Sequence, residues 1–172
     1  MNGADYNEWM FALRYVAVVA AAVWAGGLLA LGAVAAPSIF DGIAARGVAD
    51  GRVLAGALFG DVLRRFHLVS YLCGLLIAGT LITRKLLGPR PIRFGTRLAV
   101  SAVMLAAALY SGVVLSRQIE RARVNAGGAP SALAAEDPRR VTFGRLHALS
   151  SILQIVPVLG GLAIIFWELR DR

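Results

Sequence analysis

Few residues in this chain of 172 have chemical reach. Its only two histidines, His67 and His147, each stand second in a long apolar run, the first after Arg64 and Arg65 and the second after Arg145. Ser151 lies one helical turn beyond His147 and Gln154 two turns beyond, on one helix face, with Ser150 beside them. Ser70 and Tyr71 lie about one turn beyond His67. Pro157 carries no amide hydrogen, so the carbonyl of Leu153 loses its helical partner. A polar stripe therefore runs into an apolar segment and ends at a free acceptor. Two imidazoles at matched depth suit three kinds of chemistry: axial ligation of a haem b, binding of a metal ion, or a polar cavity that handles a proton or small solute. Interhelical hydrogen bonding accounts for the same residues without any ligand.

The rest of the sequence narrows these options. No CxxCH occurs, which excludes covalent haem. Two histidines with distant Asp41 and Asp61 fall short of a zinc ligand set. Cys73 is six positions past His67, roughly 240° round a helix, and Met104 lies nearer mid-membrane. As the single cysteine, Cys73 forms no internal disulfide. Ser150 and Ser151 have no GxSxG elbow, and no phosphate loop or dinucleotide fingerprint is present. An enzyme modifying lipid at the interface has only the arginine-rich end near Arg64 and Arg145 in its favour.

The elements that must position these residues are helices in a bilayer. The chain is 58% hydrophobic and only 16% charged, with mean hydropathy +0.70, where a soluble domain has about a quarter of its residues charged. Spanning a hydrocarbon core takes about 20 apolar residues. Segments at about 15–36, 66–83, 98–116 and 146–167 meet that need. Strand alternation is absent, which leaves helices as the spanning structure. The expected fold class is an all-α integral membrane protein, a single domain over 1–172 with four transmembrane helices. Val53, Leu54, Ala57, Leu58 and Val62 follow helical spacing and predict an amphipathic helix in the interface between spans one and two. "AVAAP" resembles a signal-cleavage pattern, but the apolar run is long and Asp5 and Glu8 precede it with Arg14, so a retained helix is expected. Pro89 and Pro91 break the second connection, and "RQIERARV" extends the third span before the loop "NAGGAPS".

The net charge of +8 sits at the borders of the helices. It reads as a solvated rim facing anionic headgroups, with the lipid bilayer as partner and no nucleic acid. The loop from Arg84 to Arg97 has five bases and no acid, which favours both termini in the cytoplasm; Arg14, Arg170 and Arg172 share that side, as do Trp9 and Trp167. Ala22, Gly26, Ala30 and Ala33 make a small-residue stripe suited to close helix packing, and Gly74 with Ala78 a shorter one. Trp24, near mid-bilayer, reads either as a packing residue in the bundle or as a pocket wall.

Taken in order, "VWAGGLLALGAVAAPSIF", "LAGALFG" and "FGRLHALSSILQ" resemble the transmembrane protein 205-like family, small four-span membrane proteins built on a domain of unknown function. The resemblance falls on Trp24, Gly26 or Gly27, Pro37 and Phe40, on Gly56 and Phe59, and on Phe143, His147 and Ser150 or Ser151, with His67 matching a histidine of some members. It covers nearly the whole chain and implies a four-span fold and a membrane location, with no reaction. The N-terminal "MNGADYNEW" departs from the shorter, basic start expected of bacterial members. The first span also has a fainter likeness to copper-resistance membrane proteins. The expectation is a multi-pass inner-membrane protein without enzymatic activity, handling a small solute or metal ion or serving as an accessory subunit beside other membrane subunits. Pro37, Phe40, Phe59, His67, Phe143 and His147 are expected to cluster at one end of the bundle.

Overall fold

A computed structural model describes residues 3–88 and 90–171, apart from the side chains of residues 3–5. Met1, Asn2, the Asp5 side chain, Pro89 and Arg172, all used in reading the sequence, lie outside that set.

Four long helices carry the described chain. Helix α1 is α-helical over Gly3–Ala30, π-helical over Leu31–Ala35 and α-helical again over Ala36–Ala44. Helix α2 is Gly51–Leu87. Helix α3 runs through Phe94–Leu109, a π-helical Tyr110–Leu115 and Ser116–Asn125. Helix α4 is Pro138–Arg170. All four are long and apolar enough to cross a membrane, so the all-α four-span bundle expected from the sequence is the fold.

Each helix outruns its apolar segment. At about 1.5 Å per residue, α2 is roughly 55 Å long against a hydrocarbon core of about 30 Å. Its first half, Gly51–Arg65, is helical as expected, but it is one piece with the span rather than a separate helix lying in the interface. No breaker stands between Arg65 and Phe66, so the helix continues. The ends of α1 and α3 and the start of α4 extend past the apolar segments at this same end, which we call the head end; α1 also extends at the other end. Asp137 caps α4 by accepting from the Arg139 amide at 2.8 Å. The Asp137 carboxyl is held below its ordinary range chiefly by its hydrogen bonds from Arg139.

Both π-helical turns have local causes. Pro37 lacks an amide hydrogen, and just before it the Ala36 amide reaches the Leu31 carbonyl, five residues back. In α3 the Ser116 amide reaches the Ser111 carbonyl in the same way, and the Ser116 hydroxyl donates to that carbonyl at 2.9 Å. Such bulges recur at functional sites. Both stand at the head end.

The helices contact one another in a ring, α1 with α2, α2 with α3, α3 with α4 and α4 with α1. Spans two and four are therefore diagonal. The core on the axis contains Trp24, Leu28, Cys73, Ile77, Leu81, Met104 and Ile164. Here the expected packing stripe is corrected. Ala22, Gly26, Ala30 and Ala33 all face outward, and the inward face of α1 is Ala17, Ala20, Ala21, Trp24, Ala25 and Leu28. Trp24 decides the rotation, because its large ring takes the bundle axis. Gly74 does pack as expected: a Cβ there would stand 3.1 Å from Trp24 Cζ3 and 3.0 Å from Leu105.

Candidate functional site: a polar core and an ion cluster

His67 is held by its own helix. Its Nδ1 donates to the Leu63 carbonyl at 2.8 Å. A carbonyl only accepts, so this bond fixes the proton on Nδ1 and leaves the lone pair on Nε2. The ring is buried and lies 6.2 Å from that of Tyr71, centroid to centroid. Both side chains press on Gly112, where a Cβ would overlap the Tyr71 hydroxyl and come within 2.7 Å of His67 Cδ2. Glycine is thus required in the π-helical turn by close approach. The neighbouring Phe66 ring occupies the space that a Cβ on Gly27 would take. Adjacent Gly26 has nothing within 4 Å, so of the two family-like glycines Gly27 is the one packing demands.

Of these residues Phe66 and His67 line a partly open cavity between the helices, with about 10 Å³ of room for the centre of a water molecule, and Tyr71 and Gly112 lie outside its wall. All four spans wall it. Trp24 comes from α1, His67 and Ser70 from α2, Ser111 from α3, and Gln154 and Pro157 from α4. Leu153, whose carbonyl has lost its helical donor to Pro157, is also in the wall. The Trp24 indole N–H is buried and has no hydrogen-bond partner, although buried indole N–H groups usually find one. Ser70 donates to the Phe66 carbonyl at 3.1 Å, and Ser111 and Ser150 hydroxyls meet at 3.5 Å. Trp24 therefore does both things the sequence left open, packing against Gly74 and walling a pocket.

The other sequence-derived residues lie elsewhere. His147 is exposed and stacks on Phe143, with centroids 6.0 Å apart, and it is not part of the cavity wall. Ser151 is exposed and donates to the His147 carbonyl at 3.0 Å. Matched depth fails to join the histidines because His147 is exposed on α4 while His67 is buried. Pro37 and Phe40 are exposed, Gly56, Phe59 and Phe143 half-buried; they share the head end with His67 but are outside the buried core. Arg64 and Arg145 are exposed, and Arg64 pairs with Asp61 at 2.7 Å.

The residues present do not fit a haem. The room beside His67 is about that of one water, and the second imidazole is outside. Among the described residues no group of three or more His, Cys, Asp and Glu gathers to hold a metal ion.

At the opposite end is a cluster that the sequence reading assigned to the solvated rim. Arg84 and Arg97 are buried rather than solvated. Arg84 donates to Glu168 at 2.7 Å and to Asp171 at 2.7 Å. Arg97 donates to Glu168 at 3.0 Å, to Asp171 at 2.9 Å and to the Trp167 carbonyl at 2.7 Å. Arg14 donates to the Glu168 carbonyl at 2.5 Å, and the Ile92 amide to Asp171 at 3.2 Å. All four helices are thereby tied at one level. Burial pushes the Asp171 carboxyl up, but the Ile92 amide and the two guanidinium groups outweigh it and hold it below its ordinary range. The signal for this cluster was opposite charges at one depth: Arg84 just after span two, Arg97 just before span three and Glu168 just after span four.

Comparison with known proteins adds a family. Residues 19–127, more than half of the chain, match the family described as Domain of unknown function (DUF4149). That stretch holds Trp24, Phe66, His67 and Gly112; the α4 part of the cavity lies beyond it. No curated protein and no solved structure gave a match. A four-span helical bundle with this match identifies the chain as a member of the DUF4149 family.

Proposed function

We propose that this protein handles a small polar solute at the interior site beside His67, without catalysing a reaction. One observation carries the reading. The Trp24 indole N–H is buried and unpartnered, and Trp24 is one of the residues lining the cavity. An unpaired donor in a low-dielectric interior costs about 1–3 kcal/mol, and a guest that accepts from it recovers that cost. The Leu153 carbonyl freed by Pro157 offers the matching acceptor. Within this reading the protein is a single domain of a bacterial inner membrane with both termini in the cytoplasm, and its closer kinship is with transmembrane protein 205-like members. Metal handling lacks a third ligand beside His67.

The test uses purified protein in liposomes and graded probes: water, methylammonium and glycerol, followed by stopped-flow light scattering. Trp24→Phe keeps an aromatic ring at this position and removes the N–H. At least one probe should cross faster than in protein-free vesicles, and Trp24→Phe should lower that rate several-fold. Rates equal to protein-free vesicles for all probes end the proposal.

A second reading, an accessory subunit of a membrane complex, has its own observation. The small-residue stripe Ala22, Gly26, Ala30 and Ala33 lies on the outer face of α1, where another transmembrane helix packs closely. Gly26→Leu should dissociate such a complex in native detergent extracts while leaving the melting temperature of the isolated protein unchanged. An undisturbed complex ends this reading.

A further inference from the structure

We infer that the solute handled at the interior site is a proton, carried between a single water molecule and Nε2 of His67. This rests on the interior-site reading above and narrows it.

Size comes first. The cavity has about 10 Å³ of room for a water-sized centre, which is about that of one water. Polarity comes second. A buried water needs two to four polar partners. The wall contains Trp24, whose N–H is without a partner, Leu153, whose carbonyl lacks its helical donor, and Gln154, whose amide can donate or accept. The Ser70 hydroxyl spends its proton on the Phe66 carbonyl, so its oxygen remains an acceptor.

Titration comes third. Among the residues walling the cavity, His67 alone is ionisable. Trp24 of α1, Ser111 of α3 and Gln154 of α4 bring no titratable group to it. On its own helix the nearest is Tyr71, whose hydroxyl shares the Gly112 contact; Asp61, Arg64 and Arg65 are exposed. The Leu63 carbonyl holds the Nδ1 proton at 2.8 Å in both charge states. The Nε2 lone pair is therefore the one place where a proton arrives. The step is a plain transfer: a protonated water gives H⁺ to Nε2, leaving water and an imidazolium, and the reverse returns it. No other bond is made or broken.

The experiment loads proteoliposomes with the pH-sensitive dye pyranine and drives protons with a valinomycin-clamped potassium gradient. Wild-type protein should change the internal pH several-fold faster than protein-free vesicles. His67→Gln should abolish the excess rate, and Trp24→Phe should reduce it several-fold. A wild-type rate equal to that of empty vesicles, or an unchanged rate in a folded His67→Gln variant, overturns the inference. If His67→Gln does not fold, ¹⁵N NMR of histidine-labelled His147→Asn protein replaces it, since His67 is then the single histidine. Nε2 should shift between pH 4 and 9; a signal fixed across that range overturns the inference. Failure is separable from that of the broader reading. Trp24-dependent flux of methylammonium or glycerol without proton flux sinks the proton and keeps the site, whereas no flux of any probe sinks both.

Discussion

Arg84 and Glu168 meet across the diagonal of the bundle, guanidinium Nη1 to carboxylate Oε2, at 2.7 Å. Their helices, α2 and α4, are not packed neighbours. Both side chains are long and both are buried. Arg84 and Arg97 also pair with Asp171, so removing the Glu168 charge leaves two buried guanidinium groups sharing one carboxylate, and breaking a buried pair costs about 3–5 kcal/mol. Glu168→Gln is therefore expected to lower the thermal midpoint in detergent, followed by helical circular dichroism, far more than Glu120→Gln, whose pairing with Arg123 is exposed. Equal midpoints for the two variants would refute the cluster's role.

Acid should loosen the same end. The Asp171 carboxyl is held below its ordinary range in the fold, while an unfolded aspartate titrates near about 3.9. The folded state thus binds protons less readily than the unfolded state. Its contribution is fully present above about pH 4 and is lost as pH falls through the lower folded value. Stability measured from pH 7 to pH 3 should fall at the acid end, and Asp171→Asn should flatten that fall. Identical pH profiles for the two proteins count against it.

The neighbours Gly26 and Gly27 give a sharper contrast. A Cβ at Gly27 collides with the Phe66 ring, and one at Gly26 meets nothing within 4 Å. Overpacking costs about 1–3 kcal/mol. Gly27→Ala should destabilise by that order and Gly26→Ala hardly at all, with denaturation midpoints as the readout. Gly27→Ala combined with Phe66→Leu should recover part of the loss.

Gly112 is expected to show a rescue of its own. Gly112→Ala sets a methyl against the Tyr71 hydroxyl and His67. Tyr71→Phe removes the hydroxyl, so the double variant should be more stable than Gly112→Ala alone. If the double variant is no better, the contact that excludes a side chain at Gly112 is not with the Tyr71 oxygen.

Much of the fold was legible because hydropathy sets spans directly. Four apolar runs gave four helices, but of the stripe His147, Ser151 and Gln154 only Gln154 lies in the cavity wall, and the other two are exposed. What failed was azimuth. Steps of four and three grouped Ala22 with Gly26 and Ala30 correctly on one face, but small size alone does not say whether that face is inside. Trp24, on another face, needed the axis and turned α1 accordingly. Likewise His67 and His147 were matched in depth, whereas His147 is on an exposed face of α4 and His67 on a buried face of α2. The acidic partners at Glu168 and Asp171 went unread because arginines near span ends usually meet headgroups, and only tertiary packing distinguishes those turned inward.

The unequal overhang of the helices offers a way to learn which compartment each end faces. Loops 45–50 and 126–137 are carried beyond the apolar segments on continuous helix, so both stand clear of the membrane surface on one side. A cysteine placed at Gly128 in a Cys73→Ser background should react with an impermeant maleimide in intact cells or only in inverted vesicles. That single labelling pattern would fix the topology of the whole chain.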